Sequence, residues 1–195
     1  MARVRVIDRD AVLCAAERVV SRDGAARLTV EAVAAEAGIS KASVLYDYKT
    51  KQALIRAVVE RRMKAECERL RAAIEEAGPG KDRAIRGRLA KAERRSMSDT
   101  DRAVALNLIA ALAQDEELRR PMQEAYRQQI AEIMETSTHP RGALLAFLAL
   151  EGLKLLECFG IYSWPENERK RLFKDFSALV DGEPVTARGE AHKAD

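Results

Sequence analysis

A chain of 195 residues is long enough to bury a core, as one domain or as a small head on a larger body. With 47% hydrophobic and 33% charged residues and only 5 prolines, it reads as a folded helical protein, not a disordered one. A net charge of +3 does not by itself indicate nucleic acid, and 2 histidines supply neither a His-based catalytic triad nor a paired-His metal site.

Taken in order, MARVRVIDRD has basic residues but no apolar segment after them, so no secretory leader is expected. Arg3 and Arg5 read as a frayed basic arm, with reach into a minor groove as the alternative. A first helix is predicted from residue 8 to about 21, with Val12, Leu13, Ala16, Val19 and Val20 as its apolar stripe. Asp8 and Asp10 load its N-terminus, Arg22 its C-terminus, and Gly24 ends the connection.

The stretch TVEAVAAEAGISKASVLYDYKTKQAL, residues 29–54, is the most informative part of the chain. Thr29 is an N-cap with Glu31 in the first turn, and Val30, Val33, Ala34 and Ala37 recur at helical spacing. Gly38 supplies the left-handed residue that ends this helix. Ser40 caps a second, very short helix whose inward positions are Val44 and either Leu45 or Tyr48. Two short helices, a glycine turn and alanines that permit a close crossing make a helix-turn-helix.

Thr50 caps a long helix, predicted over 51–77 and about 40 Å in length. Leu54, Val58, Met63, Cys67, Leu70 and Ile74 lie along one side, and its charged faces read as solvated surface. The helix begins at the head and ends in the body, so it is the element that could couple them. Gly78-Pro79-Gly80 stops it. Further helices are predicted over 82–97, 101–113, 116–136, 140–160 and 167–180. Ser98-Asp99-Thr100 and Asp115 are caps. Pro121 implies a kink or a late start in its segment, and Pro140 is at the first position of the next. Trp164-Pro165 marks the last loop, and residues 181–195 are expected to be a disordered tail. The domain organisation is therefore a helix-turn-helix head (1–50), a helical body (51–180) and the tail, an all-α fold of about nine helices.

Cys14, Cys67 and Cys158 are too few and too widely spaced for a disulfide framework or a metal site, which suits buried packing in a reducing cytoplasm. The longest apolar run, 142–150, is far short of the roughly 20 residues that a membrane span needs. Charge is unevenly spread. Residues 1–64 hold 13 Lys+Arg against 8 Asp+Glu, and the remainder 21 against 23, so the positive excess lies on the head.

The run GISKASVLYDYKTKQAL resembles the DNA-binding signature of TetR-type repressors, closely over residues 8–60 and beyond that only in helical layout. That family usually has an aromatic where this chain has Leu45, and often His where it has Asp47. The resemblance implies a double-stranded DNA operator as partner, contacted by Thr29, Ser40, Lys41, Ala42, Ser43, Leu45, Tyr46 and Lys51. Lys41, Ala42 and Ser43 would face base edges; Tyr46, Lys51 and the Thr29 hydroxyl would bind phosphates. Asp47, acidic beside a polyanion, turns away or accepts from a cytosine amine, and the first is favoured. Tyr48 takes the family's inward aromatic position.

The resemblance also implies a small-molecule effector, leaning to uncharged or lipophilic, with Met97, Leu106, Ile109, Tyr126, Ile130, Phe147 and Phe159 as candidate lining. Residues 141–160 are apolar on nearly all sides, and 167–180 carry a second stripe. These segments fit a homodimer through Leu144, Leu148, Leu155, Phe173 and Phe176, with burial inside a single body as the alternative. The function expected is that of a ligand-responsive regulator, a repressor released from a palindromic operator by its effector. The alternative is an effector-independent helix-turn-helix module. No enzyme activity, cofactor or metal is expected.

Overall fold

Local chemistry at the helix ends sets the element boundaries. In a computed structural model of the protein, residues 8–24, 27–94 and 98–182 are described. They comprise nine helices and no strand: α1 (Arg9–Asp23), α2 (Val30–Ala37), α3 (Lys41–Asp47), α4 (Lys51–Glu76), α5 (Arg83–Arg94), α6 (Asp99–Gln114), α7 (Glu116–Thr136), α8 (Pro140–Cys158) and α9 (Glu166–Asp181). The Asp8 carboxylate accepts from the N–H groups of Asp10 and Ala11, and the hydroxyls of Thr29, Ser40, Thr50 and Ser98 each accept from the N–H three residues on. The cap at Ser98 starts α6 two residues before the predicted position. Helix α7 starts at Glu116 with Pro121 inside it, so the late start does not occur. The basic arm, Met97 and the tail from residue 183 lie outside the described residues.

The chain divides into two compact units. The first holds the described residues up to Arg69, those from 98 to Arg127, and Cys158–Ile161. Its core is built from small and branched side chains: Val12, Ala16, Val19, Leu28, Val33, Val44, Leu54, Val58 and Val104 are all at most 1% exposed. Polar ties join its helices. Glu17 of α1 accepts from Arg61 at 2.6 Å and from Arg62 at 3.0 Å, both on α4, and Arg62 reaches Asp101 of α6 at 3.2 Å. Arg61 also donates to the Cys14 Sγ. This part of the charged face of α4 is thus a half-buried network and not the solvated surface expected, because α1 and α6 lie over it. The cysteines differ in burial as well: Cys158 is buried, Cys14 half-buried and Cys67 exposed.

The second unit packs the end of α4, α5, the end of α7, α8 and α9 around Ile85, Ile133, Phe147, Leu150, Phe173, Phe176 and Val180. Two glycines set its crossings. A Cβ on Gly87 would lie 2.6 Å from the Ile74 Cα, and one on Gly142 would lie 2.0 Å from the Leu179 carbonyl oxygen. Asp82, with φ 65°, joins the turn before α5 to the loop after α7. Its carboxylate accepts from the Thr138 N–H and hydroxyl, both at 2.8 Å, and its own N–H donates to the Thr136 carbonyl. Arg169 of α9 donates to the Ala92 and Glu93 carbonyls at the end of α5 and to Glu157, with its guanidinium 4.8 Å from the centre of the Phe173 ring. Buried Arg88 donates to the Ala84 carbonyl and to Glu132; burial lowers its guanidinium pKa despite the nearby carboxylates.

Phe173 and Phe176 form an edge-to-face pair, 3% and 7% exposed, in this unit's own core. That corrects their expected place on a dimer interface: the apolar stripe of α9 is already covered by α5 and α8. Leu144 also packs partly on this core, whereas Leu148 and Leu155 are 54% and 53% exposed.

Candidate nucleic-acid interface

Helix α2 closes on a Schellman arrangement that only a left-handed residue completes. Gly38 has φ 66°; its N–H donates to Ala35 and that of Ile39 to Ala34. The chain then turns directly into the Ser40 cap of α3. Inward, Val33, Ala34, Val44 and Tyr48 are buried; burial also raises the Tyr48 phenol pKa. Outward, the same two helices expose Thr29, Ser40, Lys41, Ala42 and Tyr46, the last by 81%. Ser43 is half-buried, its hydroxyl 2.8 Å from that of Ser40. Leu45 packs partly on the core, and Lys51 is half-buried at the start of α4.

The charges around this surface are ordered by ion pairs. Arg9 of α1 holds Asp47 through two contacts, at 2.6 and 3.0 Å, and the Asp47 side chain is only 6% exposed. Arg9 thus neutralises Asp47 and covers its carboxylate. Arg18 and Arg22 share Glu36 and hold its carboxyl below the usual range. Lys41 pairs with Glu31 at 2.5 Å. These partners escaped sequence reasoning because Arg9 and Asp47 are 38 positions apart and Arg18 and Glu36 are 18 apart, with no pattern that couples them.

The effector candidates are not brought together in one unit. Phe147 is 2% exposed and packs in the core of the second unit. Ile130 packs partly on that same core. In the first unit, Leu106 is half-buried, while Ile109, Tyr126 and Phe159 are exposed. Met97 lies outside the described residues. No described helix is long and apolar enough to cross a membrane.

Two short capped helices, crossing on alanines and offering a polar outer face, define a DNA-binding helix-turn-helix protein. Comparison with known proteins narrows that class. Residues 12–58 match the model of bacterial regulatory proteins of the tetR family, and 87–181 match that of the tetracyclin repressor-like C-terminal domain. The chain belongs to the TetR family of transcriptional regulators. Members of this family are DNA-binding regulators and not enzymes; repression and homodimers are typical of them. No curated protein has a matching sequence.

Solved structures share the fold. A proposed TetR-family regulator of Mesorhizobium loti MAFF303099 is 17% identical with a TM-score of 0.70, over 89% of this chain and 95% of that one. The multidrug binding protein EbrR, complexed with malachite green, is 21% identical with a TM-score of 0.67, over 91% and 99%. A proposed regulator of Saccharomonospora viridis in complex with choline is 18% identical with a TM-score of 0.66, over 86% and 94%.

Proposed function

We propose that the protein is a ligand-responsive repressor that binds a palindromic operator as a homodimer and is released by a small organic effector. The observation that carries this reading is the outward face of α2 and α3. Lys41 and Ala42 stand at the exposed start of α3 for base contact, with Thr29, Tyr46 and Lys51 around them for phosphates. Ligand-bound relatives of the same fold support a responsive body. The lean to an uncharged or lipophilic effector rests on Leu106, Ile109, Tyr126, Ile130 and Phe159. A cytoplasmic location accords with DNA as partner.

For assembly, α8 exposes Leu145, Leu148 and Leu155 along one side, with exposed Gly152 between them. A Cβ on Gly152 would meet nothing within 4 Å, so the subunit's own packing does not demand a glycine there. A second α8 approaching closely would use it. The test is selection of bound sequences from genomic fragments, followed by titration of the winning duplex. A two-fold symmetric site, bound by a dimer and released by compounds that shift the melting temperature, is the expected result. Binding that no compound affects would favour the effector-independent module.

A further inference from the structure

Between Thr29 and Tyr48 the sequence carries one cation, Lys41, and three anions, Glu31, Glu36 and Asp47. The partners of the anions divide them. Glu36 and Asp47 are neutralised from α1, by Arg18, Arg22 and Arg9. Glu31 alone is neutralised by a group on the proposed DNA surface. Its carboxylate lies 2.5 Å from the Lys41 ammonium. The Lys41 ammonium, the Glu31 backbone N–H and the Thr29 hydroxyl all hold that carboxyl below its usual range. One side-chain carboxylate therefore engages Lys41, a group assigned to DNA.

The pair is 57% and 61% exposed, and ion pairs of that kind contribute little to folding. Its consequence lies in where charge is available. A lysine already neutralised by a neighbouring carboxylate offers less to a phosphate, and binding through it releases fewer counterions. A base edge that matches Lys41 would still draw it away from Glu31, whereas a phosphate on unrelated sequence must displace an anion of its own kind.

We propose that Glu31 is a specificity-determining residue, an internal stand-in for phosphate that occupies Lys41 and so suppresses binding to non-operator DNA. This role rests on the proposed DNA-binding function of α2 and α3. The test uses the full chain and a random-sequence duplex, with fluorescence anisotropy across a salt series. E31Q is expected to bind this duplex roughly 3- to 10-fold more tightly at low salt, with a log–log salt slope steeper by about 0.9. The gain should vanish when E31Q is combined with K41A. If it persists in the K41A background, the carboxylate acts by long-range repulsion and not through Lys41, which overturns the proposal. A wild-type protein that binds no duplex even at low salt would overturn the regulator reading and this inference together. A wild-type protein that binds, with E31Q unchanged in affinity and slope, would overturn this inference alone.

Discussion

The two units are stabilised by different means. In the first, the core is valine, alanine and leucine, and the helices are joined by half-buried ion pairs around Glu17, Arg61, Arg62 and Asp101. In the second, phenylalanines fill the core and glycines let helix backbones touch. Small side chains bring two short helices close without occupying their outer faces, which leaves those faces for a partner. Aromatic cores consume the faces they join. The difference teaches which substitutions should reach folding and which should reach only binding.

Phe147→Ala should show the largest effect on folding. Its ring is enclosed by the second unit, and truncating such a residue costs about 3–5 kcal/mol. Urea unfolding followed by circular dichroism measures this. A cost below about 1 kcal/mol would mean the second unit is looser than its burial indicates. Gly142→Ala comes next. Its methyl would sit within 2.0 Å of the Leu179 carbonyl oxygen, so α8 and α9 must separate, at about 1–3 kcal/mol for overpacking. An unchanged melting temperature would contradict that close crossing.

How much of this was legible beforehand depended on the range of each interaction. Caps at Thr29, Ser40 and Ser98 were readable because each bonds an N–H only three positions away. The inward stripe of α1 was readable for the same reason, since one helical turn fixes it. By contrast, periodicity marks Phe173 and Phe176 as apolar and says nothing of which surface covers them. The ion pairs of Arg9 and Arg62, and the Asp82 tie to Thr138, span 38, 39 and 56 positions and exist only after packing. At the candidate interface, residue types were legible, but the partner of Lys41 was not.

Thr29→Ala should be intermediate. It removes the hydroxyl that accepts from the Ala32 N–H, which costs about 1 kcal/mol for a lost N-cap, and it also removes a proposed phosphate ligand. Thr29→Ser keeps both groups and should restore stability and binding together. Leu148→Glu, on the exposed side of α8, should change folding by no more than about 0.5 kcal/mol. It should nonetheless turn the proposed dimer into a monomer by sedimentation. A variant that remains dimeric would remove α8 from the interface.

Lys51→Ala should leave the cap of α4 intact and weaken DNA binding. Lys51 is the first residue of α4, and Thr50 caps that helix through the Ala53 N–H, so the cap itself survives the substitution. As a proposed phosphate ligand, Lys51 would carry no sequence information. Its loss should therefore weaken operator and random duplexes by the same factor and reduce the salt slope by about 0.9. Thr29→Ala, in contrast, should lose the α2 cap as well as affinity, so the two variants separate a capping residue from one that caps nothing. Each 1.4 kcal/mol of lost interaction is about a tenfold loss of affinity, which anisotropy resolves easily. If Lys51→Ala altered the preferred operator while the salt slope stayed the same, Lys51 would be reading bases. The division of the surface into base-facing Lys41 and Ala42 and phosphate-facing Lys51 would then have to be redrawn.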